Sequence, residues 1–192
     1  MPLLDHFAMI APHYDRLATF RHGERMVALL DLPPGGTLLD AGGGTGRVAQ
    51  QVGAQAATVV VLDASFPMLV QAAAKPGLTA VQGEVERLPL PAASMARIVM
   101  VDAFHHLRDQ ERALSEMHRV LAPRGRLVIL EPDIRRLAVR LIALGEKLLL
   151  MRSRFRSGEE IASLARHLGL KVDVGRDGDG SVWIVAARPA SE

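Results

Sequence analysis

The sequence predicts a doubly wound α/β fold, a Rossmann-like sheet of seven strands that is mostly parallel and ends in an antiparallel hairpin. Three observations carry this. Five short aliphatic runs alternate with helical patterns, a glycine-rich loop follows the first run, and two later strand-like runs are joined only by the turn residues DGDG.

The five runs are TLLDA at 37–41, ATVVVLD at 57–63, LTAVQ at 78–82, ARIVMV at 96–101 and GRLVILE at 125–131. They mostly lack polar alternation, as parallel strands covered on both faces do. Between them, GRVAQQV, FPMLVQAAA and RDQERALSEMHRVLA have helix-forming composition or 3.6-residue spacing. The last sets Leu114, Met117, Val120 and Leu121 on one face. Further on, SGEEIASLARHLG opens with Ser157 three residues before Glu160, a capping box, and stops at Gly169. LKVDVGR and SVWIVAAR then flank the turn at 177–180, which is short enough to require antiparallel neighbours.

The chain has 192 residues, 49% of them hydrophobic, which suits one domain over 1–192 with residues 1–30 as a helical cover. The absence of cysteine removes disulfides, thiolate metal sites and cysteine nucleophiles. A net charge of +2 is a weak argument for a nucleic-acid partner. The opening MPLLDHFAMIAPHYDRL lacks a basic start, a continuous apolar core and a small-residue cleavage site, so no signal peptide is expected and the expected location is the cytoplasm.

The loop of the first run packs four glycines into positions 42–46. Ordering glycine is costly, so such clustering serves a tight bend or a backbone lying against a ligand. It leaves a strand and enters a helix, which turns its N–H groups toward a ligand at the carboxyl edge of the sheet. The dinucleotide fingerprint G-x-G-x-x-G fits Gly42 and Gly44 but meets Arg47 at its third position. The Walker pattern fails because Thr45 is followed by Gly46 and Arg47. Asp40, two residues before the first glycine, suits a ligand with an ammonium group better than a pyrophosphate.

Five stretches in order, LLDAGGGTG, VVVLDASFPML, VQGEVERLPLP, VDAFHHL and ALSEMHRVLAPRGRLVILEP, with a looser echo in YDRL at 14–17, resemble the class I S-adenosylmethionine-dependent methyltransferases. Within them the likeness is to the ubiquinone/menaquinone C-methyltransferase-like subgroup of small-molecule enzymes. The resemblance spans residues 37–132 and implies S-adenosyl-L-methionine as cofactor and S-adenosyl-L-homocysteine as product. It implies that Asp40, Ala41, Gly42, Gly43, Gly44 and Gly46 hold the methionyl part and that Asp63, 23 residues beyond Asp40, holds the ribose hydroxyls. Ala64 and Met68 lie near the adenine, Glu84 stands where the family usually has Asp or Asn at the adenine amino group, and Val85 pairs through its backbone N–H. Asp102, His106 and Tyr14 are the candidate catalytic residues. For His105 and His106 a packing role competes with general-base catalysis, and Asp63 also reads as a helix cap. Asp102, Glu131 and Asp133 end adjacent strands, but without a supporting motif no metal is expected.

Lack of cysteine excludes the cytosine C5 and arsenic chemistries, and DAFHHL replaces the Asn-Pro-Pro-Tyr type loop of adenine and amide N-methyltransferases. The expected acceptor is a small, lipid-like molecule, with C- or O-methylation of a quinol-like or phenolic ring as the leading reaction. N-methylation of a small molecule, or a catalytically silent partner subunit, are the alternatives; nucleic acid is disfavoured. Residues 134–156 carry seven basic residues against Glu146, a local charge of +6, with Leu137, Leu141, Leu144, Leu148 and Met151 at 4-3-4-3 spacing beside a stripe of Arg136, Arg140 and Lys147. Charges interrupt the segment too often for a membrane span. Three readings stay open: a substrate lid walling the site with Phe7, Ile10 and Tyr14, a peripheral membrane contact, or a core helix. The oligomeric state is left open.

Overall fold

A computed structural model describes residues 11, 14–17, 19–135 and 154–190. Two helices, α1 (Tyr14–Leu17) and α2 (Gly23–Leu30), precede β1 (Thr37–Ala41), α3 (Arg47–Val52), β2 (Thr58–Asp63), α4 (Phe66–Ala73), β3 (Leu78–Gln82) and β4 (Met95–Val101). Then come α5 (Gln110–Val120), β5 (Leu121–Pro132), α6 (Gly158–His167), β6 (Lys171–Arg176) and β7 (Ser181–Ala187). Single turns of 3-10 helix at Val85–Arg87 and Phe104–His106 follow β3 and β4.

The seven strands form one sheet in the order β3-β2-β1-β4-β5-β7-β6. Strands β1 to β5 are parallel, and β7 runs antiparallel to both β5 and β6. The expected hairpin is therefore present, with its second strand inserted beside β5. Central β1 is buried from its second residue onward, whereas the edge strands β3 and β6 keep exposed positions, so the lack of alternation marks the middle of the sheet. Successive side chains point to opposite faces: Leu39, Ile98, Met100 and Ile129 join Leu114 and Met117 of α5, while Leu38, Val99 and Val128 join Met26 of α2 and Trp183. Each such aliphatic side chain, fully buried, contributes about 1.5–3 kcal/mol.

The Ser157–Glu160 capping box forms, and Gly169 follows α6 with φ of 83°. One boundary differs from the sequence reading. Helix α5 ends at Val120, and Leu121, expected on its buried face, is the first residue of β5. Pro123 lacks the N–H a continuing helix needs, and Arg124 takes a positive φ of 60°, so the chain turns there while Leu121 stays in the core.

Residues 136–153, with the leucine stripe and Arg136, Arg140 and Lys147, lie outside the described residues, as do Phe7 and Ile10. Where the chain re-enters, Arg154 N donates to His105 O at 2.7 Å and the Phe155 ring stacks on His105 at 4.3 Å. Among the described residues no helix is long and apolar enough to cross a membrane. The sheet order reverses between β1 and β4, which opens a crevice beyond their carboxyl ends.

Candidate active site

A cavity of about 920 Å³ occupies that crevice. Of the sequence-predicted residues it brings together Tyr14, Asp40, Gly42, Gly43, Gly44, Asp63, Ala64, Met68, Glu84, Val85, Asp102 and His106. Ala41 and Gly46 do not line it. Ala41 is fully buried at the end of β1, and a Cβ on Gly46 would lie 2.6 Å from the Leu78 side chain. With φ of 74°, Gly46 lets α3 pack on the sheet, the task of the third glycine in a dinucleotide fingerprint moved one residue ahead of Arg47.

The loop is a cradle. Gly42 N and Gly43 N donate to Leu62 O at 2.8 and 3.1 Å, which ties the loop across to β2. A Cβ on Gly42 would meet Ala103 Cβ at 2.9 Å, and one on Gly43 would meet the Asp40 carboxylate carbon at 2.6 Å. At Gly44 the nearest atom would be Asp63 Oδ2, 4.0 Å away, so this position faces open space with φ of 54°.

Asp63 and Asp40 play different parts. Asp63 Oδ2 accepts from Gly44 N and Oδ1 from Ser65 N, both at 2.8 Å. The carboxylate thus joins the glycine loop to the turn that starts α4, while the cap position itself belongs to Ser65. Asp40, 1% exposed, accepts from Ala49 N at 3.0 Å beneath the loop. Burial pushes its carboxyl up to about 7, partly offset by the Ala49 N–H and Arg47.

On the opposite wall Asp102 has a positive φ of 52° and pairs with Arg47 Nη2 at 3.5 Å. Burial, then the nearby Glu131, raises its carboxyl above the usual range. Burial, then His105, lowers His106 to about 3, so this ring is neutral at physiological pH and a poor base. Buried Glu131 anchors the whole loop: Oε1 accepts from Ala103 N and Phe104 N at 3.0 and 2.9 Å, and Oε2 meets His105 Nδ1 at 2.6 Å. Asp133 pairs with Arg135 and Arg176, so these carboxylates are engaged within the protein. His22, Asp177 and Asp179 form another cluster, in which Asp177 serves Arg25 and the Trp183 indole N–H.

Sequence reasoning missed the clamp behind the cradle. Asp15 of α1 binds the Thr45 hydroxyl and, at 2.6 Å, Lys75 Nζ, which also donates to Thr45 O at 2.7 Å. Burial works against the Asp15 carboxylate, but Lys75 and Thr45 outweigh it and hold its pKa below the usual value. The YDRL echo was the available signal. Arg47 was read only as a departure from a dinucleotide pattern; its side chain, 12% exposed, lines the cavity and sets its guanidinium carbon 5.7 Å from the Tyr14 ring and 5.9 Å from the Phe20 ring.

A seven-stranded sheet of this order with a glycine cradle and an acid ending β2 defines a class I methyltransferase fold. Residues 39–129 match the family model described as "Methyltransferase domain", and the chain has the class I methyltransferase fold. It is 35% identical over 139 residues to the demethylmenaquinone methyltransferase of Thermus thermophilus, covering 65% of this chain and 63% of that protein. It is 37% identical to the ubiquinone/menaquinone biosynthesis C-methyltransferase UbiE of Syntrophotalea carbinolica, over 65% and 59%. The chain thus spans about six-tenths of the length of these curated relatives. Among solved structures, an S-adenosylmethionine-dependent methyltransferase of Thermotoga maritima superposes with a TM-score of 0.77 at 26% identity, covering 95% of this chain and 98% of that one.

Proposed function

We propose that the protein transfers the methyl group of S-adenosyl-L-methionine to a small lipid-like acceptor, with C- or O-methylation of a quinol-like or phenolic ring as the specific reaction. The observation that carries the cofactor half is the open cradle at Gly44 beside Asp63, inside a cavity large enough for a nucleoside with an amino-acid tail. The acceptor half is supported by the quinone-type names of the relatives.

The residues present fit the group. Gly42–Gly44 give backbone without side chains, Asp63 would accept from the ribose hydroxyls, and Glu84 and Val85, which line the same cavity, would take the base. Asp40, ionised, attracts an ammonium group. When bound, the cofactor supplies an activated methyl on a positively charged sulfur. The chain's own work is alignment and exclusion of water. Glu131 fixes the turn bearing His106, and a neutral His106 accepts or donates one hydrogen bond at the cavity wall and is not a strong base. Asp102, with its raised carboxyl, is the better candidate to take a phenolic proton. The same proposal takes residues 1–192 as a single domain, with residues 1–30 as a helical cover and residues 134–156 as a substrate lid.

The test is methyl transfer from isotopically labelled S-adenosylmethionine to a panel of prenylated hydroquinones, simple phenols and amines. Labelled ring or ring-oxygen products are expected. Transfer to amines alone would replace the acceptor reading, and cofactor binding with no transfer to any acceptor would favour a silent partner subunit.

A further inference from the structure

Gln110 opens α5 just after the Phe104–His106 turn, is only 5% exposed, and is not among the described residues that line the cavity. A primary amide has two N–H donors and a carbonyl acceptor, and burying it costs free energy unless they are met. Here each is met. Nε2 donates to Phe104 O at 3.0 Å and to Arg154 O at 2.7 Å, while Oε1 accepts from Arg156 Nε at 2.8 Å. One side chain therefore joins the turn after β4 to chain that returns 44 and 46 residues beyond it.

The same two stretches meet at a second point. Arg154 N donates to His105 O at 2.7 Å, and the Phe155 ring stacks on the His105 ring at 4.3 Å and 15°. The His105 ring in turn lies 4.0 Å from that of His106, which lines the cavity. A shift of residues 154–156 thus reaches His106 through a single intervening ring. Glu131 holds Ala103, Phe104 and His105 from β5, but none of those bonds is to His106. Stability alone asks for less than this amide supplies. Without it Phe104 O still accepts from Leu107 N at 3.2 Å, and Arg156 still pairs with Glu111 at 3.2 Å. What Gln110 adds is the tie between the two stretches.

We propose that Gln110 is a positioning residue for methyl transfer: its amide locks residues 154–156 onto the Phe104–His106 turn and, through the Phe155 and His105 rings, fixes where His106 stands at the cavity wall. Gln110 itself touches no reacting atom. Misplacing a wall group by about 1 Å can cost on the order of a hundredfold in rate. The inference rests on the proposed methyl transfer for the reaction that His106 serves.

Gln110→Met keeps the length of the side chain without its hydrogen bonds, and Gln110→Glu, ionised, keeps an acceptor for Arg156 but loses both donors. The full chain and both variants are compared by thermal melts, by calorimetry with S-adenosylhomocysteine, and by transfer from labelled S-adenosylmethionine to the best substrate of the hydroquinone, phenol and amine panel. In both variants kcat is expected to fall at least tenfold while S-adenosylhomocysteine affinity stays within twofold, since the glycine cradle makes none of the bonds that change. A residue serving stability alone would lower the melting temperature and leave kcat intact below it, so kcat within twofold of wild type in either folded variant overturns the proposal. Should neither fold, Phe155→Leu, which keeps the amide bonds and removes the ring contact, decides by the same criterion. A wild type that methylates no member of the panel contradicts the proposed function instead, and the histidine ring NMR signals, assigned with His106→Phe, then decide the positioning. His106 signals displaced in the variants while those of His167 stay in place support it; His106 signals at their wild-type positions contradict it.

Discussion

Asp63 Oδ2 accepts the Gly44 N–H at 2.8 Å, so the acid that ends β2 holds the open floor of the glycine loop. That contact gives the carboxylate one task, shaping the cradle, and holding the ligand's hydroxyls is the second task proposed for it. Asp63→Ala is expected to lose about 1–3 kcal/mol of stability through the stranded Gly44 and Ser65 N–H groups, and to weaken S-adenosylhomocysteine by more than tenfold. Chemical denaturation and calorimetry on one preparation check both. A destabilised variant of unchanged affinity would leave Asp63 with the shaping task alone.

Asp40 gives a pH signature with a definite sign. Its folded carboxyl is raised to about 7 from 3.8, so between these values the folded state holds a proton that the unfolded state has lost. Its contribution is fully present below about pH 4 and is lost as pH rises through about 7. A cofactor ammonium favours the ionised form, so S-adenosylhomocysteine should bind roughly tenfold more tightly at pH 8 than at pH 6, with proton release. Asp40→Asn should flatten both trends. Calorimetry in buffers of different ionisation heat reads the proton directly.

Gly44→Ala and Gly46→Ala are expected to fail differently. A methyl at Gly46 meets Leu78 at 2.6 Å in a φ of 74°, so strain and overpacking should cost about 2–4 kcal/mol of stability. At Gly44 there is space in the protein, and the methyl intrudes on the cradle instead. Cofactor affinity should drop at Gly44 with a smaller stability loss of about 1–2 kcal/mol from its φ of 54°. Equal affinity losses in the two variants would contradict this division.

Glu131→Ala leaves the N–H groups of Ala103 and Phe104 and the His105 ring without their acceptor in a buried site. A loss of about 3–5 kcal/mol is expected in thermal or denaturant unfolding. His106→Phe, by contrast, should keep most stability, and the native His106, lowered to about 3, should add no inflection near pH 6.5 to a rate profile.

Much of this site was legible because its backbone demands are local. Positive φ at Gly42, Gly44 and Gly46 and an acid at the end of β2 leave marks in a sequence that periodicity and glycine clustering expose. The capping box at Ser157 and the DGDG turn are local in the same way, and the hairpin followed from them. What was hidden depends on pairs distant in the chain. Asp15 reaches Thr45 and Lys75, Glu131 reaches back to Ala103, and Arg47 meets Asp102, each across 26 or more residues. No spacing rule announces such partners. Arg47 was visible only as a misfit, and its surroundings emerged once two aromatic rings and Asp102 were placed around it. Leu121 was misassigned because its burial suits a helix face and a strand start alike; Pro123 and Arg124 decide between them.

The central claim is that the cavity over Gly42–Gly44 takes a sulfur nucleoside and not a dinucleotide. Calorimetric titration of the wild-type chain with S-adenosylhomocysteine and, separately, with NADH tests it most directly. The account predicts micromolar or tighter binding of the first, abolished or weakened more than tenfold in Asp63→Ala, and no heat from the second. Micromolar binding of NADH with no response to S-adenosylhomocysteine would contradict it.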